Sequence, residues 1–120
     1  MNHKQIIVVE DDPIFQAVYL DTLRSADAHF VTTSYRAQAL MTIMEPDIVI
    51  LDLGLPDGDG LEVIAALIKT YPYKDIPVIV VTSSTDAERH KAAIHAGANA
   101  VITKPFMPEQ IRDAVTKYAL

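Results

Sequence analysis

An α/β three-layer sandwich, with five parallel strands flanked by five helices, is the fold this sequence predicts, on three observations. Five short apolar, β-branched runs recur along the 120 residues. Stretches with helical spacing lie between them, which is the pattern of repeated βα units. Residues able to do chemistry fall directly after the runs, where an open parallel sheet collects its ligands.

The runs are Ile6–Val9, a weaker one at His29–Thr33, then Ile48–Leu51, Val78–Val81 and Ala100–Thr103. Near-continuous Val/Ile in the first, third and fourth predicts strands covered on both faces. Polar Thr32, Thr33 and Ser34 place the second at an edge. Asp12-Pro13 reads as an N-cap followed by proline at the first helical position. Ala17, Leu20 and Leu23, or a similar set, are expected to form the core stripe of that helix. Ile14, Phe15, Val18 and Tyr19 are apolar residues in excess of the stripe, so some should lie exposed beside the site. Leu61, Ile64, Leu67 and Ile68 form the stripe of the middle helix. Thr85-Asp86-Ala87-Glu88 reads as a capping box, and Gly97 as the stop of that helix. Pro108 and Glu109 open the last helix, with Ile111, Val115 and Tyr118 inward. Right-handed crossovers then give the flavodoxin-like strand order 2-1-3-4-5.

Composition narrows the function. Half of the residues are apolar and none is cysteine, so the chain reads as one globular domain over residues 1–120, without disulfides, thiol catalysis or cysteine metal sites. The net charge of −6 has no local Lys/Arg cluster to offset it, which argues against direct nucleic-acid binding. No apolar run approaches the length of a membrane span, and a cytoplasmic location is expected.

Glu10, Asp11 and Asp12 follow the first strand, Asp52 ends the third, Thr82 and Ser83 the fourth, and Lys104 the fifth. All share the carboxyl edge of the sheet. Neighbouring strands are about 4.8 Å apart, so Asp11 and Asp52 present carboxylates that one cation bridges. An oxygen-only set without Cys or a nearby His favours Mg²⁺, with Mn²⁺ as the alternative. Lys104 and the Thr82 hydroxyl suit phosphoryl oxygens, and an Asp carboxylate serves as nucleophile in acyl-phosphate chemistry. Together these groups describe a phosphoryl-transfer site.

The segments Ile7 to Pro13, Asp47 to Pro56 with Asp59-Gly60, Pro77 to Thr82, and Ala96-Gly97-Ala98 through Lys104-Pro105-Phe106 resemble, in order and over nearly the whole chain, the receiver domains of response regulators. The resemblance implies a switch in which Asp52 accepts a phosphoryl group from a histidine kinase or a histidine phosphotransfer domain and changes a surface read by an output domain or protein. It implies Mg²⁺ bound by Asp11 and Asp52, by Glu10 mostly through water, and by the Gly54 carbonyl, with Thr82 and Lys104 on the phosphoryl group. It also implies a cis Lys104–Pro105 bond. The chain departs from the pattern at Val101, where the family commonly carries an aromatic that swings inward with the Ser/Thr. Gly54, two residues after the phosphoacceptor, offers no side chain to steer an attacking water.

A haloacid-dehalogenase-type phosphatase needs a second acid two positions after the nucleophile, where Gly54 stands, and more chain for a cap. A receiver-like module working without phosphorylation finds support only in Val101. Asp57-Gly58-Asp59-Gly60 lacks the spacing and distal Glu of a calcium loop and reads as a turn with Asp59 capping the next helix. His3, His29, His90 and His95 are expected at the surface, away from the acids. A homodimer is left open.

Overall fold

In a computed structural model that describes residues 3–119, the strands β1 (Gln5–Val9), β2 (Asp27–Val31), β3 (Ile48–Leu51), β6 (Val78–Thr82) and β7 (Ala100–Thr103) form one parallel sheet of order β2-β1-β3-β6-β7. This is the expected order, renumbered because a small antiparallel hairpin, β4 (Gly54–Leu55) and β5 (Gly58–Asp59), follows β3. The helices are α1 (Pro13–Thr22), α2 (Ser34–Met41), α3 (Leu61–Thr70), α4 (Ala87–Ala96) and α5 (Pro108–Tyr118).

Strand alternation splits the core in two. Ile7, Val9, Val49, Leu51, Val78 and Val80 face one side with Val63, Ile64 and Leu67 of α3, Ala37 and Met41 of α2 and Ala93 of α4. Ile6, Val8, Ile48, Ile50, Ile79 and Val81 face the other, with Tyr19 of α1 and Ile111 and Ala114 of α5. Every residue of β1 from Ile6, and all of β3 and β6, is buried, as a central parallel strand with helices on both faces must be. β2 lies at the edge and none of its residues is fully buried.

Several local expectations shift. β2 ends at Val31 because Thr33 leaves the sheet to cap α2, its hydroxyl accepting from Arg36 N at 3.0 Å. In α1 the inward residues are Tyr19, Thr22 and Leu23, whereas Leu20 is 61% exposed and Ala17 is exposed. Three residues on from Asp12, Phe15 packs on Phe106, and the inward stripe runs from it through Tyr19 to Leu23. In α3, Val63 takes the inward place and Ile68 lies out. The cap of α4 is Asp86 rather than Thr85: its carboxylate accepts from Glu88 N at 2.9 Å, with its backbone already extended. Gly97 ends α4 at a φ of 124°, a conformation open to glycine and strained for a side chain. Asp12, Pro13 and Pro108 take their expected places, and the Lys104–Pro105 bond is cis.

Candidate functional site

The parallel ladders place the chemistry. Beyond β1 and β3, Glu10 N still donates to Val31 O at 2.9 Å and Asp52 N to Val9 O at 3.1 Å. Beyond β7, Lys104 N donates to Thr82 O at 2.8 Å. Val9 pairs with Leu51, and Thr82 with Thr103. Glu10, Asp52 and Lys104 are therefore each the first residue past a strand end, still held by the sheet. Their alternation puts them on the side of Ile6, Ile50 and Ile102, facing α1 and α5. Thr82 shares its side with Val80 and faces α3 and α4.

Lys104 Nζ donates to Asp52 Oδ2 at 2.7 Å and stands 2.6 Å from Glu10 Oε1, with the lysine and Glu10 side chains 7% and 1% exposed. The second contact sets the ammonium against a buried carboxylate oxygen. The other Glu10 oxygen accepts from Asp12 N at 3.1 Å. Phe15 lies under the ammonium, 4.3 Å from ring centroid to Nζ, and leans on Phe106. Burial pushes the Glu10 carboxyl up, against the opposing pull of Lys104 and the Asp12 N–H. Burial alone would lower the Lys104 ammonium, but the Asp52 and Glu10 carboxylates outweigh it and raise the group overall. Burial, helped by Glu10 and Asp52, raises the Tyr19 hydroxyl.

Glu10, Asp11 and Asp52 present carboxylate oxygens within 4.8 Å of one another. Three carboxylates with no sulfur or imidazole among them fit a hard divalent cation.

Asp52 sits between two clefts. The first, about 440 Å³, is lined by the three acids, Phe15, Lys104 and Pro105 among others. The second, about 260 Å³, is lined by Asp52, Gly54, Thr82, Ser83, Ser84 and Arg89 among others. Gly54 N donates to Asp52 Oδ1 at 3.1 Å, and a side chain at 54 would meet nothing within 4 Å. The Thr82 hydroxyl accepts from Ser84 N at 3.2 Å. All six residues named from the sequence thus border Asp52 or belong to its acid cluster.

Three supports were not foreseen. Asp57, in the turn of the β4–β5 hairpin, accepts from Ser34 N at 2.7 Å and Tyr35 N at 3.0 Å, capping α2 from another part of the chain. Those backbone donors hold its carboxyl below the usual range. Gly60 packs so closely that a Cβ would lie 2.5 Å from the Asp52 carbonyl oxygen and 2.8 Å from Leu53 Cα. Arg89 of α4 grips Asp59 with two bonds, of 2.8 and 3.2 Å, while Asp59, one residue before the α3 N-cap Gly60 rather than the cap itself, accepts from Leu61 N at 3.0 Å. The Arg89 bond holds the Asp59 carboxyl low. No local sequence signal marks the partners of Asp57 and Arg89, which lie 22 and 30 residues away.

The extra apolar residues of α1 resolve into roles. Ile14 is 73% exposed beside the acids, whereas Tyr19 is buried and Phe15 belongs to the lysine's packing. None of the four histidines lines either cleft. His29 is tied to Gln5 and His90 to the Ser84 carbonyl, and both are half-buried rather than free at the surface. Val101 is half-buried beside a groove with His90, Ile94 and His95.

Comparison with known proteins shows the family. Residues 6–116 match the response regulator receiver domain family. The transcriptional regulatory protein KdpE of Staphylococcus aureus is 35% identical over 111 residues, covering 90% of this chain and 46% of that protein. The chain thus spans about half the length of that curated relative. A CheY-like receiver domain protein from Methanospirillum hungatei superposes with a TM-score of 0.90 at 23% identity, covering 98% of this chain and 94% of that one. The receiver domain of the sensor histidine kinase PA1611 of Pseudomonas aeruginosa, solved with magnesium in its active-site cleft, gives a TM-score of 0.88 at 22% identity, covering 98% of each chain. With the fold, the strand-end carboxylates and the family match in agreement, this chain belongs to the response regulator receiver domain family, the phosphoacceptor domains of two-component signalling.

Proposed function

We propose that Asp52 is the phosphoacceptor of this domain and that residues 1–120 act as one receiver unit. The observation that carries the reading is the position of Asp52: one carboxylate oxygen is held by Lys104, the other by the Gly54 N–H, and both clefts open onto it. An Asp52 oxygen attacks the phosphorus of a phosphohistidine; the P–N bond breaks, and the electron pair leaves with the imidazole. A divalent cation, Mg²⁺ in first place and Mn²⁺ as substitute, would neutralise charge on the carboxylates and phosphoryl oxygens when bound. Asp11, Asp52 and the Gly54 carbonyl would hold it directly, with Glu10 through water. Lys104 holds Asp52 in place and meets a phosphoryl oxygen, and the Thr82 hydroxyl turns from Ser84 N to donate to another.

The donor would be a histidine kinase or phosphotransfer domain, and exposed Ile14 is the apolar residue best placed to meet it. The reader of the switch would be an output domain or protein. The domain would catalyse only its own phosphorylation and dephosphorylation. A cytoplasmic location goes with this reading; among the described residues no helix is long and apolar enough to cross a membrane.

Intact mass after incubation with acetyl phosphate tests it. The expected result is a gain of one phosphoryl group that needs Mg²⁺, is lost with chelator, and is absent in Asp52→Asn. No gain, under conditions that label another receiver fully, would reject Asp52 as acceptor and favour a module acting without phosphorylation.

A further inference from the structure

The two sides of Asp52 differ in how their cations are committed. Lys104 is buried and already shared between Asp52 and Glu10. In the second cleft the cation is Arg89, and its present partner is Asp59, outside the site proper. Both members of that pair are more than a third exposed, with side chains 37% and 38% accessible, so solvent screens the attraction and parting them is cheap. Asp59 keeps an N–H partner, Leu61, when the arginine leaves. Gly54 lines the same cleft as Arg89 and Asp52, and a side chain there would find nothing within 4 Å. No side chain at position 54 fills the cleft that the two groups share.

Phosphorylation changes the charge there. The carboxylate is replaced by a phosphoryl group of about −2, with three acceptor oxygens, while Lys104 has no further charge to give. A guanidinium matches two of those oxygens at once, as it now matches both oxygens of Asp59.

We propose that Arg89 is a second phosphoryl-binding cation, which leaves Asp59, crosses the space above Gly54 and pairs with an anionic phosphodonor and then with the phosphoryl group on Asp52. The inference rests on Asp52 being the phosphoacceptor. It makes Asp59 the resting place of the arginine and a competitor of the phosphoryl group. Arg89 would draw in dianionic donors most strongly.

Labelling rates followed by intact mass at subsaturating donor, with Mg²⁺ present, test it on wild type, Arg89→Ala and Asp59→Asn. Arg89→Ala should slow labelling by acetyl phosphate about three- to tenfold, and labelling by the less negatively charged phosphoramidate by less. Asp59→Asn keeps an acceptor for Leu61 N but releases the guanidinium, so it should speed labelling by acetyl phosphate about twofold. Opposite signs for the two variants are the signature. Shifts in the same direction, equal for both donors, would show a pair that merely ties α4 to the hairpin and would overturn the proposal. A second readout avoids the variants: on adding beryllofluoride with Mg²⁺, the Arg89 Nε–H resonance of wild type should move, and a stationary one would overturn the proposal. Wild type that labels normally beside an indifferent Arg89→Ala rejects Arg89 alone; wild type that never labels rejects the phosphoacceptor with it.

Discussion

The two clefts that meet at Asp52 are built on different principles. On the α1/α5 side the groups are prewired: Glu10 is buried, the Lys104 and Asp52 side chains are 7% and 12% exposed, and the lysine pairs with both acids at strand ends held by ladder hydrogen bonds. On the α3/α4 side they are engaged elsewhere, Thr82 with Ser84 N and Arg89 with Asp59, around a position with no side chain. In the proposed reading, a rigid half would fix the nucleophile and an exchangeable half would receive the phosphoryl group. The difference follows from burial. Parting a buried pair leaves a charge without water, whereas parting an exposed pair costs little.

Lys104→Ala should break the rigid half most severely. Losing one preorganised charge donor slows such reactions by about 10²–10³, read as the rate of mass gain from acetyl phosphate; a change under tenfold would mean that Lys104 only balances the acids. Gly60→Ala comes next. A Cβ at 2.5 Å from the Asp52 carbonyl oxygen forces the backbone under the nucleophile to move, at about 2 kcal/mol in urea unfolding; unchanged stability would show that the loop yields freely. Asp11→Asn should weaken Mg²⁺ about tenfold in calorimetric titration, leaving the fold intact because Asp11 is exposed.

Smaller effects belong to the exchangeable half. Gly54→Asn or Gly54→Arg fills the open position and should change the phosphoryl lifetime by about threefold, seen as decay of the phosphorylated mass; equal decay would remove any role for that space. The smallest effect concerns pH. Arg89 holds Asp59 below its ordinary value, so the stabilisation is fully present above the unfolded value of about 3.9 and is lost as pH falls through the depressed folded one. The stability gap between wild type and Arg89→Ala should therefore close on acidification, and urea midpoints at neutral and acid pH would show it. A gap that persists in acid would assign Arg89 a packing role instead.

Much of the prewired half was legible in the sequence. Ile48–Leu51 ahead of Asp52 and Ile6–Val9 ahead of Glu10 are strands by composition, and order alone puts their ends together. The exchangeable half was legible only in part: Thr82 and Gly54 stand out in the sequence, but Arg89 looks like any helical surface arginine. The error in α1 has the same root. Ala17, Leu20 and Leu23 make a sensible stripe from spacing, but Phe15 is drawn inward by Phe106 and Lys104, from the far end of the chain, and the face turns with it.

The sequence by itself determined the order of elements and the carboxyl edge that gathers the acids, Asp52 among them, because hydrophobic period and strand-end position are local properties. Only the tertiary structure decided which charge answers which: Lys104 with Glu10 and Asp52, Arg89 with Asp59, Asp57 with the first turn of α2. Those pairings span 22 to 94 residues, and no run of neighbours encodes them, since electrostatic partners are chosen by distance in space and by how far water is excluded.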